Sequence, residues 1–142
     1  MIVSLLVPSK LYGIHFYTTR LLIYGVADGS FRPLPRYGGG LDGDNVIHID
    51  ADGKFFLITS QRYLDSTPAV WRVELDTLEM TEIVEAQRNV WSWYADPEGV
   101  VRAGVGIRGK RWWLLYRSSA ADKFERVVKG RLQDRCREGD RD

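Results

Sequence analysis

The chain has 142 residues, 44% hydrophobic and 27% charged, with five Trp and seven Tyr. That composition suits a single globular domain and excludes a disordered chain, and its aromatic richness favours strands. A net charge of +1, from 20 basic and 19 acidic residues, gives no global field for a nucleic-acid or membrane partner, and none is expected. The lone cysteine, Cys136, permits no intrachain disulfide and sits in a charged tail without an activating neighbour. It reads as an incidental thiol in a reducing compartment.

Taken in chain order, the sequence is a series of short apolar runs cut by Gly, Asp, Pro and Ser. Met1 to Val7 lacks the basic flank and cleavage site of a signal peptide, so Ile2 to Val7 is expected to be a strand and the protein cytoplasmic. No run approaches the roughly 20 apolar residues of a membrane span. Strands are expected at Leu11 to Tyr17, Leu21 to Val26 and Phe31 to Leu34, with a turn at Asp28-Gly29. A glycine-rich loop, Pro35 to Asn45, leads to Val46 to Asp50, the turn Ala51-Asp52-Gly53, and Lys54 to Ser60. After the loop Gln61 to Pro68 come Ala69 to Leu75 and Glu79 to Val84. The last set is Val90 to Ala95, the turn Asp96-Pro97-Glu98-Gly99, Val100 to Ile107, Lys110 to Arg117 and Lys123 to Val128.

Two of these units repeat. Asp50 and Asp96 stand 46 positions apart, as do Gly53 and Gly99. Val70-Trp-Arg-Val-Glu-Leu75 likewise parallels Trp112-Trp-Leu-Leu-Tyr116. Four strands in about 40 to 50 residues is the pattern of a β-propeller blade, a sheet that buries its faces on its neighbours. A sandwich or barrel gives no reason for turn residues and strand order to repeat at one offset. The expectation is therefore an all-β partial propeller of about 2.5 four-stranded blades. It comprises a half blade over 11–35, blades over 46–84 and 90–128, and a disordered polar tail over 131–142. Such a stack would leave sheet faces open at both ends, as expected of a fragment, a truncated reading frame or one part of a larger assembly.

The stretch Val90 to Arg117 carries a resemblance. Its Trp-Ser-Trp-Tyr strand, Asp-Pro-Glu-Gly turn, Arg-Ala-Gly-Val-Gly strand and Trp-Trp-Leu-Leu-Tyr-Arg strand resemble the propeller of prolyl-oligopeptidase-family serine peptidases, the dipeptidyl aminopeptidase and acylaminoacyl-peptidase type. Asp42 to Asp50 and Val70 to Thr77 fit the same pattern, and blades of the TolB type give similar motifs. The resemblance implies a domain that caps an α/β-hydrolase and limits entry to its Ser-Asp-His triad. The sequence has no Gly-x-Ser-x-Gly elbow, and its two histidines, His15 and His48, lie in blade strands. No catalytic residue of the family transfers to any position, and Gly130 to Asp142 departs from strand patterning.

Other motifs have structural readings. Gly104-Val-Gly-Ile-Arg-Gly109 spells the dinucleotide fingerprint, but the following Lys-Arg-Trp-Trp-Leu-Leu-Tyr reads as a strand where the fingerprint needs a helix. Gly104 and Gly106 are expected to allow close packing and Gly109 to make a turn. His48 alternates with Ile47 and Ile49, so it should face the opposite side as a hydrogen-bonded structural residue; His15 is the same case. Asp42, Asp44, Asp50 and Asp52 lack calcium-loop spacing and read as turn makers. Trp91, Trp93, Trp112 and Trp113 could form a stacking platform, though the adjacent pair must face opposite sides, and blade packing explains them better. Arg108, Lys110 and Arg111 read as a solvated hairpin tip.

No catalytic, cofactor or metal site is expected, and no cofactor. The leading function is a non-catalytic gating segment of a serine peptidase, with a hydrolase domain as partner and peptide substrate only in a full-length enzyme. The rival is a TolB-like or WD-like interaction module completed by self-association through its exposed blade faces. An intact small enzyme is the weakest reading, since no nucleophile–base spacing stands out.

Overall fold

A computed structural model describes residues 1–35, 45–63 and 66–133. Its regular elements are eleven strands, with no helix among the described residues: β1 (Ile2–Leu11), β2 (Ile14–Tyr24), β3 (Phe31–Pro33), β4 (Asn45–Ile49), β5 (Phe55–Ser60), β6 (Ala69–Glu74), β7 (Met80–Val84), β8 (Val90–Ala95), β9 (Val101–Arg108), β10 (Arg111–Tyr116) and β11 (Glu125–Arg131). They form three antiparallel sheets, ordered β1-β2-β3, β4-β5-β6-β7 and β11-β10-β9-β8. The fold is an open, partial β-propeller, and the sheets do not close on themselves.

The 46-residue repeat has a physical basis in the inner turns. Asp50 N–H donates to Phe55 O (3.0 Å), and Asp50 Oδ2 accepts from Lys54 N–H (3.0 Å). Asp96 N–H donates to Val100 O (2.9 Å), and Asp96 Oδ1 accepts from the N–H groups of Glu98 and Val100 (2.9 Å each). Gly53 (φ 69°) and Gly99 (φ 86°) supply the left-handed residue that closes each turn.

The second sheet is buried on both faces, so β5 reads as a continuous apolar run instead of an alternating one. Phe56, Ile58, Trp71 and Val73 pack with Leu21 and Ile23 of the first sheet. Leu57, Val70 and Val84 pack with Val90, Trp93, Val101, Trp113 and Leu115 of the third. Each such apolar side chain contributes about 1.5–3 kcal/mol on burial.

The N-terminal region differs from the expected half blade over 11–35. A two-residue turn at Tyr12-Gly13 splits the expected strand Leu11 to Tyr17, and β2 continues unbroken to Tyr24. Both turn residues have positive φ, 49° and 79°, the geometry whose twist matches a tight hairpin. Gly13 adopts it freely, whereas Tyr12 gives no sequence signal for it. The first sheet thus has three strands from Ile2 onward. At the other end β11 extends through Arg131, into the expected tail; residues 134–142, including Cys136, lie outside the described residues, as do Asp42 and Asp44.

Candidate functional site

Between the second and third sheets, near β4, aromatic and charged groups meet. A β-bulge between Val46 and His48 shifts the strand register. It brings Ile47 and His48 onto the side facing the third sheet, where simple alternation would separate them. The His48 ring packs against Phe55 (centroids 5.8 Å apart) and beside Gly99, where an added Cβ would lie 3.0 Å from the imidazole. Among the described residues no hydrogen bond reaches the His48 imidazole, and the contacts it makes are with Phe55 and Gly99. The Arg72 guanidinium lies 3.7 Å from the Phe55 centroid and pairs with Glu74 at 2.7 Å. His15 is exposed on β2, far along the chain from any such cluster.

Beside this seam Asp96 works as a structural knot. Its Oδ2 accepts from Arg102 Nε at 2.8 Å, and Arg102 also donates to Ser118 O. The Val100 N–H, then the Arg102 side chain, hold the Asp96 carboxyl below its ordinary value, while Asp96 raises the Arg102 guanidinium. Arg117 donates to Val101 O (2.8 Å) and stacks 4.3 Å over Phe124; burial lowers its pKa from the usual value. These bonds fasten the loop 117–124, which has the least regular sequence of the blade.

The four tryptophans separate into pairs. Trp93 is 2% exposed and its indole N–H donates to Pro68 O (3.0 Å), while Trp91 is 40% exposed. A bulge between Val90 and Ser92 makes Trp91 the extra residue, so simple alternation does not put Trp91 and Trp93 on one face. Trp113 points into the core and Trp112 lies over Gly130 on the opposite face. No four-indole platform forms.

Gly104 and Gly106 lie in β9, under Trp93 and Trp113 respectively, and Gly109 (φ 60°) begins the turn into β10. The fingerprint-like segment is thus strand, turn and strand, without the helix end that would hold a pyrophosphate. Among the described residues no group of three or more His, Cys, Asp or Glu is placed to hold a metal. Asp50 is a turn carboxylate, as its hydrogen bond to Lys54 shows.

One feature escaped the sequence. Arg108 and Arg111 of the hairpin end line an open hollow together with Arg126, Lys129 and Arg131 of β11, over Trp113. The Arg126 guanidinium stacks 4.3 Å from the Trp113 ring. None of the described lining residues is acidic. Read locally, the turn is a solvated tip; antiparallel pairing of Arg111 with Arg131 is what gathers the further charges, and that pairing is non-local.

No family model matches the sequence, and no curated protein matches it. Among solved structures the fold is similar to that of the acylaminoacyl peptidase of Pyrococcus horikoshii, with a TM-score of 0.50 and 14% sequence identity. The similarity covers 91% of this chain but 23% of that one, so the chain spans less than a quarter of the peptidase's length. At that identity the likeness concerns the fold: a propeller-like segment. No helix among the described residues is long and apolar enough to cross a membrane.

Proposed function

We propose that this chain is a non-catalytic segment of a substrate-gating propeller, of the kind that caps the hydrolase domain in prolyl-oligopeptidase-family serine peptidases. The observation that carries this reading is the stack of three sheets matching a stretch of an acylaminoacyl peptidase over 91% of the chain. Blades act sterically: a ring of them admits short peptides and excludes folded proteins. Its partner is a hydrolase domain, and peptide is its substrate only within a complete enzyme. The Gly-x-Ser-x-Gly elbow is missing from the sequence, and its histidines sit in strands, one packed on Phe55 and one exposed at a hairpin. The test is turnover of acetyl-alanyl p-nitroanilide and p-nitrophenyl acetate by the purified chain. The proposal expects no turnover that a serine-directed inhibitor abolishes; such turnover would overturn it.

A second reading, an interaction module completed by self-association, is favoured by the outward faces of the end sheets. Trp112, Leu114 and Tyr116 alternate with the core residues Trp113 and Leu115, and so face away from the second sheet. Tyr24 and Phe31 form an aromatic pair (4.8 Å) at the other end of the stack. A discrete oligomer in sedimentation supports this reading, and a monomer opposes it.

A further inference from the structure

Three arginines stand side by side on one rung of the third sheet. Arg111 of β10 pairs with Arg108 of β9 on one side and with Arg131 of β11 on the other. Residues directly opposite each other in antiparallel strands share a face, so the three side chains leave the sheet on the same side. Neighbouring strands lie about 4.8 Å apart, which makes the row about 10 Å wide. The next rung on that face, Gly106, Trp113 and Lys129, adds an ammonium beside the indole. Arg126, beyond the bulge in the β10–β11 pairing, returns over the same ring.

Like charges directly opposite each other destabilise a sheet. Elsewhere the arginines of the described chain have partners: Arg72 has Glu74, Arg102 has Asp96, and Arg32 donates to the carbonyls of Leu75 and Asp76. Among the described residues Arg108, Arg111, Arg126, Lys129 and Arg131 form no ion pair, and the hollow they line holds no carboxylate. A shortage of acids is not the reason, since the chain carries 19 acidic residues against 20 basic ones. The row is thus a local concentration of charge in a chain that is otherwise balanced.

The hollow measures about 610 Å³, a size that suits a small molecule. Asn89 also lines it and brings an uncharged amide donor. Its face is the one turned to the second sheet, where Trp113 packs with Val70 and Val84. No described residue of the second sheet lines the hollow, and a further sheet laid on the outward face of β10 would leave it open. Guanidinium forks take phosphate oxygens in pairs. A single carboxylate would engage one or two of these cations and leave the others opposed. A short chain of phosphates meets a row of like charges along its length.

We propose that this hollow binds a small anion carrying a chain of phosphates. The chain lies along Arg108, Arg111 and Arg131, and Lys129 and Arg126 neutralise further oxygens. The site is independent of the gating reading.

The probe is inorganic tripolyphosphate, titrated calorimetrically into the intact chain at constant ionic strength. Saturable binding is expected, with orthophosphate at least about tenfold weaker and a melting temperature that rises with tripolyphosphate. Arg111→Gln takes the middle charge from the row and should weaken binding at least about tenfold. Because it relieves the repulsion, its ligand-free melting temperature should hold or rise, so lost binding is not lost folding. Lys54→Gln, an equal charge change in the turn before β5, should leave the affinity unchanged. ATP in place of tripolyphosphate separates two sources of the same chemistry: tighter binding marks a nucleotide, equal or weaker binding the bare chain, and each supports the site. Absence of tripolyphosphate binding, equal affinity for orthophosphate, or equal loss in both variants overturns the proposal. So does a ligand-free melting temperature that falls in Arg111→Gln, since the row would then be stabilising by itself. A single-stranded oligonucleotide that binds more tightly than tripolyphosphate would assign the row to a nucleic-acid surface and overturn it too.

Discussion

Gly106 and Trp113 are cross-strand partners so close that a methyl group on Gly106 would sit 2.2 Å from the indole. Gly104 stands in the same relation to Trp93, at 2.7 Å. The two glycines let two large rings lie flat on the middle of the third sheet, where they complete the core shared with the second. Gly106→Ala is expected to cost about 1–3 kcal/mol, as overpacking does, measured by urea denaturation. Combining it with Trp113→Leu should recover part of that loss, and strict additivity of the two costs would contradict the contact.

Trp93 joins two parts of the chain through its bond to Pro68 O. Trp93→Phe keeps most of the ring but leaves a carbonyl near the core without its donor. The expected loss is about 1–3 kcal/mol, visible in thermal or urea melts. A change below 0.5 kcal/mol (about the scatter of a surface substitution) would show that the bond is dispensable.

Tyr12 is 96% exposed and carries a φ of 49°, so it bears backbone strain without burying its ring. Tyr12→Asn creates an Asn-Gly turn, which tolerates positive φ at both positions. It is expected to stabilise the chain by about 1 kcal/mol, read from the denaturation midpoint.

The pH dependence follows from Asp96. Its folded pKa lies below the ordinary 3.8, held there first by the Val100 N–H and then by Arg102. A depressed carboxylate contributes stability that is present above the unfolded value and lost as pH falls through the folded one. Asp28, lowered by the Ser30 N–H, acts in the same direction. Asp96→Asn should therefore flatten the acid limb below about pH 4 and change the slope little above pH 5. An unchanged acid limb would place the titrating groups elsewhere.

The parts of this fold that local chemistry writes were legible in the sequence. The Asp–Gly inner turns, the 46-residue repeat and the close-packing glycines of β9 are all set by residues near one another in the chain. The misreadings of strand and face share one cause: a residue whose conformation its type does not announce. Tyr12 in a left-handed turn hid the first hairpin. The bulges at Ile47 and Trp91 reversed the faces of His48 and of one tryptophan, because a single extra residue defeats a period of two. The basic hollow was illegible for a different reason, since its charges come from β9, β10 and β11 and meet only through strand pairing.

The central claim is that the chain is an open propeller segment, its second sheet covered on both faces and its end sheets on one. Amide hydrogen exchange, followed residue by residue on the intact chain, tests it most directly. The slowest amides should lie in β5 and β6, within Phe55–Ser60 and Ala69–Glu74, with β1 and β11 exchanging far faster. Equal protection of β11 and β5 would mean that the stack is closed, and would contradict the account.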